Sequence, residues 1–274
     1  MTTLTTAGVR AFFDAEARNG RRLLPDPSTA SGLGSLVKYR QATELMAAPG
    51  THAVLDVGCS VGSIEMLFHL EHPECTRGTH IEGVDISSES IGRATALNLP
   101  NCAFQAYDGT ALPFADASFD LAIAIEVIEH VPDKPGFLAQ IFRVLRPGGR
   151  VFLTTPNPQC LALGLEERLE RTLRWLARRP AAEKDAFIGL ADLSGLLASA
   201  GFTPVGTGSQ PIWPRLYVSL FGWGVLPPLP PRALAGYQRA CLAVMARRPL
   251  SGIAGRRLGW TTSHLWQKPT GTQS

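Results

Sequence analysis

Apolar positions along the chain recur in two rhythms. Over residues 1–50, Val9, Phe12, Phe13 and Ala17 fall on one stripe at helical spacing. A Pro/Ser/Gly loop is expected over 25–34 and a second helix over 36–47. Beyond Thr51, short apolar runs alternate with helical patterns. Strands are predicted at 52–57, 81–86, 104–107, 121–125 and 150–155, with helices at 63–70, 89–97 and 137–145 between them. Such alternation points to βαβ units and a parallel sheet. Arg146-Pro147-Gly148-Gly149 reads as a helix-stop turn, because proline ends a helix and glycine accepts positive φ. A charged helical stretch follows at 165–179, then a helix at 190–200 that stops at Gly201 and a strand at 202–206. The segment 211–258 is rich in proline and carries Trp213, Tyr217, Phe221 and Trp223, and a last strand-like run covers 260–266.

Composition narrows the picture. With 274 residues, 45% of them hydrophobic, the chain can bury a core without disulfide or metal staples, and disorder is excluded for most of it. At ~150 residues per domain, one or two domains are expected. The excess of 26 basic over 23 acidic residues is too slight to make a phosphate-binding face, so no nucleic-acid partner is expected. The arginines at 168, 171, 174, 178 and 179 are interspersed with Glu166, Glu167 and Glu170, the pattern of a solvated helix face. Cys59, Cys75, Cys102, Cys160 and Cys241 are odd in number and scattered, which reads as free thiols in a reducing compartment and as no metal site. Asp14, Glu16 and two arginines break up the first twenty residues, and the longest uncharged apolar stretch, 216–231, is short and proline-rich. A soluble, cytoplasmic protein is the expectation.

The chemistry gathers at predicted strand ends. Asp56-Val57-Gly58-Cys59-Ser60-Val61-Gly62 joins a strand to a helix through a glycine loop, where backbone can approach a ligand and free N–H groups face it. Asp85 ends the next strand, 23 residues after Gly62, at the spacing of an acid that binds ribose hydroxyls. Asp85 could equally cap the following helix, although Ser87 and Ser88 can do so instead. Asp108-Gly109 follows the third strand, as a ligand contact or as an ordinary turn, and Glu126-Val127-Ile128-Glu129-His130 follows the fourth. Open sheets bind ligands at the carboxyl ends of their strands, and all four groups lie there.

Asp56-x-Gly58-Cys59-x-x-Gly62, Val84-Asp85, Asp108 with Leu112-Pro113-Phe114, Phe119-Asp120, Glu126-x-x-Glu129-His130 and Leu145-x-Pro147-Gly148-Gly149 together resemble the class I S-adenosylmethionine-dependent methyltransferases. The texture is similar to that of ubiquinone-biosynthesis O-methyltransferases and natural-product methyltransferases. The resemblance covers about 50–157 and 190–206. It implies an α/β, Rossmann-like fold: a seven-stranded, mostly parallel sheet with an antiparallel last strand, an N-terminal helical cap (1–50) and a core (51–210 and 259–268). The aromatic, proline-rich 211–258 would be a lid inserted between the sixth and seventh strands. It implies S-adenosylmethionine as cofactor and S-adenosylhomocysteine as product. Gly58, Cys59 and Gly62 would face the methionine part, and Asp56 would help hold its amino group. Asp85 would bind the ribose, Ile86 would pack on adenine, and Asp108 with Gly109 would address the adenine edge. Glu126 and Val127 would floor the cofactor near the sulfonium. Ser60 departs from the pattern, since many members carry a second glycine there.

The expected reaction is in-line methyl transfer to a small, fairly apolar acceptor, at a hydroxyl. His130 is the candidate base, or else a structural histidine of its loop; His264 and Asp133 are further candidates. Three other readings stand beside this one. Glu126, Glu129 and His130 also match the metal-binding run of small-RNA 3′-end methyltransferases, but no further histidine precedes His264 to complete a metal site. A cofactor-binding interaction protein on the same fold is the second. In the third, arginines flanking apolar stretches of 211–258 rest on anionic lipid.

Overall fold

The computed structural model describes residues 5–18, 23–26, 30–160, 188–211 and 259–271. The two N-terminal helices are α1 (Thr6–Arg18) and α2 (Ala30–Met46). The apolar runs then become strands separated by helices: β1 (Ala53–Val57), α3 (Ser63–Glu71), β2 (His80–Asp85), α4 (Ser88–Thr95), β3 (Cys102–Ala106) and β4 (Phe119–Ile125). After a single 3-10 turn (Ile128–His130) come α5 (Lys134–Val144), β5 (Leu145–Pro156), α6 (Leu190–Ser199), β6 (Thr203–Pro211) and β7 (Gly259–Gln267). The seven strands form one sheet in the order β3-β2-β1-β4-β5-β7-β6. Pairings from β3 through β5 are parallel, while β7 runs antiparallel to both β5 and β6. This is the doubly wound sheet with a reversed last strand that the alternation and the motifs imply.

Strand pleating sends alternate residues to opposite faces, each covered by helices. Leu55, Val57, Ala122, Ala124, Val151 and Leu153 join Leu138, Ile141, Leu193 and Leu197 of α5 and α6 in one core. Val54, Leu121, Ile123 and Phe152 pack on the other face with Ile64 and Phe68 of α3 and Ala42 and Met46 of α2. Several motif residues serve this scaffold. Asp120 accepts the His52 and Ala53 N–H groups at 3.0 and 2.9 Å and pairs with Arg146 at 2.6 Å, which clamps the start of β1 to β4. Arg143 of α5 donates to the Leu112 and Phe114 carbonyls, fixing the Leu-Pro-Phe turn.

Two local expectations change. Helix α2 begins inside the loop predicted over 25–34. Glycine is a poor helix former, but Gly32 lies so close to the Asp26 backbone that a Cβ would collide with it. Its glycine serves close approach within a helix rather than a turn. The Arg-Pro-Gly-Gly run does follow the end of α5, yet it lies within β5 rather than before it. Gly148, at φ +81°, is held by Lys268: the Gly148 N–H donates to the Lys268 carbonyl at 2.9 Å, and the ladder irregularity falls between Phe119 and Leu121. The stretches 165–179 and 211–258, with the proposed lid and lipid contact, lie outside the described residues. Among the described residues no helix is long and apolar enough to cross a membrane, and Cys59, Cys75, Cys102 and Cys160 are free thiols.

Candidate functional site

A cleft of about 160 Å³ opens at the carboxyl ends of β1, β2 and β4 and is roofed by α1 and α2. Its lining includes Gly58, Asp85, Ile86, Gly109, Glu126, Val127 and His130 among the residues singled out from the sequence. Asp56, Cys59, Gly62 and Asp108 stand behind or beside it. The fold brings seven of the eleven to one surface.

The glycine loop is built for contact. Gly58, at φ +83°, packs so tightly on Val127 that a Cβ would strike its Cγ2. The Gly58 and Cys59 N–H groups donate to the Val84 carbonyl at 2.7 and 3.1 Å, tying the loop to β2. Ser60 takes the left-handed region at φ +53°, the conformation a glycine would hold without strain. Its N–H donates to Asp85 Oδ2 at 2.9 Å, while Asp85 Oδ1 accepts the Ser87 N–H at 2.8 Å. Ser87, not Asp85, caps α4: its hydroxyl accepts the Ser90 N–H at 3.1 Å. Asp85 is thereby left facing the cleft. Asp108 is exposed and folds back on its own turn, accepting the Thr110 N–H at 2.8 Å and hydroxyl at 2.7 Å, bonds that lower its pKa. Its neighbour Gly109 is the one that lines the cleft.

Pleating explains the position of Asp56. It shares a face with Val54 and points at α3, where Glu65 is also fully buried. Neither carboxyl has a donor partner among the described residues. The two face each other, and burial followed by their mutual charge pushes Asp56 well up. Burial likewise raises Glu65 to about 7, so the pair shares protons. The same surroundings push the buried Cys59 thiol well up, leaving it an inert core group rather than a nucleophile.

The Glu-x-x-Glu-His run divides. Glu126, at φ +56°, lines the cleft and pairs with Lys38 of α2 at 3.4 Å. Glu129 turns into the core, accepts the Thr155 hydroxyl at 3.1 Å, and is raised to about 8 by burial and by the Glu126 charge. His130 lines the cleft with its ring edge-on to Phe13 of α1, centroids 5.3 Å apart. Among the described residues no group of three or more His, Cys, Asp or Glu side chains could hold a metal. Asp133 caps α5 through the Gly136 N–H, and fully buried His264, pushed down to about 4 by burial, lies off the cleft.

Helix α1 supplies residues that sequence reasoning did not reach. Thr6, Val9 and Phe13 line the cleft, and Asp14 accepts the Ser87 hydroxyl at 2.6 Å. Arg93 of α4 donates to the Ala17 carbonyl at 2.9 Å from the other side. Lys38 and Glu65 were equally hidden, since the partner of each comes from a distant element.

Residues 17–206 match the family model described as a methyltransferase domain. Over 187 residues the chain is 34% identical to the O-methyltransferase cnsE of Penicillium expansum, covering 65% of this chain and 62% of that one. It is 35% identical over 129 residues to the ubiquinone biosynthesis O-methyltransferase of Sinorhizobium fredii, covering 46% and 50%. The matched stretch spans between about a third and three fifths of the length of the curated relatives. Among solved structures, the Haemonchus contortus phosphoethanolamine N-methyltransferase 2 in complex with S-adenosyl-L-methionine shares the fold. Its TM-score is 0.55 at 17% identity, over 98% of this chain and 58% of that one.

Proposed function

The chain belongs to the class I S-adenosylmethionine-dependent methyltransferases, and from that premise we propose that it methylates a small, fairly apolar acceptor at a hydroxyl. The observation that carries this reading is the convergence of Gly58, Asp85, Ile86, Gly109, Glu126 and Val127 on one cleft at the strand ends. Those residues fit the cofactor. Gly58 leaves backbone where a side chain would block approach, and Asp85, fixed by the Ser60 and Ser87 N–H groups, presents its carboxylate to the cleft at the strand end where ribose hydroxyls would be addressed. Ile86 and Val127 offer apolar surface to the base and to the thioether end. S-adenosylmethionine bound there supplies a methyl group on a sulfonium, an electrophile that needs only an aligned nucleophile.

The chain's own contribution is then positioning and exclusion of water. Val9, Phe13, Val131 and Pro132 give the cleft an apolar wall suited to an apolar acceptor. His130 stands on that wall, its ring set by the edge contact with Phe13, and we assign it to take the acceptor's hydroxyl proton. The names of the relatives, O-methyltransferases among them, support oxygen as the target.

Calorimetric titration with S-adenosylhomocysteine tests the cofactor half of the reading. Binding by the wild type, weakened about tenfold or more by Asp85→Ala, is expected from loss of a charged ribose partner. A folded wild type that binds neither S-adenosylmethionine nor S-adenosylhomocysteine would sink it. A labelled-methyl screen of phenols and other hydroxyl compounds tests the second half. There His130→Gln should lower turnover by about 10²–10⁴-fold while leaving S-adenosylhomocysteine affinity unchanged. Cofactor binding with no turnover on any acceptor would favour an interaction protein on this fold instead.

A further inference from the structure

The buried carboxyls of Asp56 and Glu65 stand at the two ends of the glycine loop that faces the cleft. Asp56 lies on β1, just before Gly58, and Glu65 lies in the first turn of α3, just after Gly62. Both are fully buried, and no N–H or hydroxyl of the described residues donates to any of their oxygens. What each carboxyl meets is the other. An ionised carboxylate only accepts hydrogen bonds, so the two can bond to each other only while one of them keeps a proton. With both ionised they would repel in surroundings that screen little.

The loop between them needs support. Gly58, Ser60 and Gly62 all lie in the left-handed region, a shape that persists only where the surroundings enforce it. On the β2 side it is held by the Val84 carbonyl, which accepts the Gly58 and Cys59 N–H groups, and by Asp85, which accepts the Ser60 N–H. On the α3 side the helix starts at Gly62 without a side-chain cap, and Gly62 packs so closely on Leu97 of α4 that a Cβ would collide with it. The carboxyl pair supplies the tie on this side. In the sheet Asp56 is flanked by Gly83 and Ile123. The other titratable groups facing the pair among the described residues are the Cys59 thiol, the Asp85 carboxylate on β2 and the Cys102 thiol on β3. Helix α2 packs there through Ala42 and Met46, and α4 through Ala94 and Leu97. None of these groups is a cation that could balance a second negative charge.

We propose that Glu65 is a positioning residue for cofactor binding: a proton shared with Asp56 braces the glycine loop in its binding shape, and loss of that proton to solvent lets the loop ends part. This role rests on the cofactor reading above, and it couples a proton in the core to affinity in the cleft. The brace lasts while at least one proton remains, so affinity is full at low pH and falls as pH rises. Burial raises both groups, Glu65 to about 7, so the last shared proton leaves above neutrality.

Calorimetric titration with S-adenosylhomocysteine between about pH 6 and about pH 9 reads the coupling in wild type, Glu65→Gln and Glu65→Met. A Gln amide donates to Asp56 without needing a proton, whereas a Met side chain cannot bridge at all. Wild-type affinity should fall about tenfold across the range while Glu65→Gln stays within about twofold, and Glu65→Met should start about tenfold weaker. Titration of the ligand itself is common to all three proteins. Amide exchange of residues 58–62 in the free protein gives a reading that needs no cofactor. Wild type and Glu65→Gln should exchange alike at the acid end, and wild type faster at the alkaline end. Parallel pH curves for these two, in affinity or in loop exchange, overturn the proposal. A Glu65→Met that is folded by circular dichroism and binds like wild type overturns it too; if that variant does not fold, the comparison with Glu65→Gln decides alone. A wild type that binds no S-adenosylhomocysteine at any pH fails the cofactor reading, and loop exchange still decides whether the brace exists.

Discussion

Asp56 and Glu65 show what a single buried carboxyl can do to this molecule. Glu65 is raised from its ordinary 4.5 to about 7 by burial, and Asp56 is raised with it. Between those values the native state holds a proton that the unfolded chain has released. The favourable contribution of the pair is therefore full below about pH 4.5 and is lost as pH climbs toward 7. Glu65→Gln keeps the shape without needing a proton. Its melting temperature relative to wild type should rise between pH 5 and 8, by about 2–4 °C for each kcal/mol recovered. A difference that stays flat with pH would show that the two carboxyls do not share protons. At this scale the sequence was partly legible. Asp85, Gly58 and Glu126 announced themselves because strand ends are where open sheets bind ligands. Glu65 and Lys38 carry no comparable signal in the sequence. What each meets depends on the packing of α3 and α2, which local pattern does not encode.

At the scale of elements, a hydrogen-bonded chain helps to latch α1 over the cleft, beside the Arg93–Ala17 and Arg10–Tyr107 bonds. Asp85 accepts the Ser87 N–H, and the Ser87 hydroxyl both caps α4 and donates to Asp14 of α1 at 2.6 Å. The helix that covers the cleft is thus tied to the turn that presents the ribose acid. Asp14→Ala removes the tie without touching the cap. Amide exchange in α1 should speed up, and S-adenosylhomocysteine should dissociate about tenfold faster with little change in its association rate. Unaltered exchange would mean that Phe13, Val9 and the Arg93 bond suffice to hold the helix. The strands of the core were readable to within a few residues, since their apolar runs have no competing pattern. The start of α2 was not: its glycines suggested a loop, and only the approach of Asp26 explains why one of them sits inside a helix.

For the whole molecule, the reversed last strand was implied by the resemblance rather than by any one segment. The alternation of helices and strands gives parallel neighbours but does not say that β7 belongs between β5 and β6. That placement has a consequence for how the protein is made. Strand β6 emerges from the ribosome before the strand it must pair with, and β5 presents a bare edge over the same interval. At about 5–20 residues per second, the stretch from Pro211 to Gly259 takes roughly 2–10 s to synthesise. Throughout those seconds the nascent chain exposes two unpaired strand edges, the surfaces on which other chains can stack. Translation of this protein therefore passes through a window in which the sheet is unfinished and its open edges are available to other chains until β7 arrives.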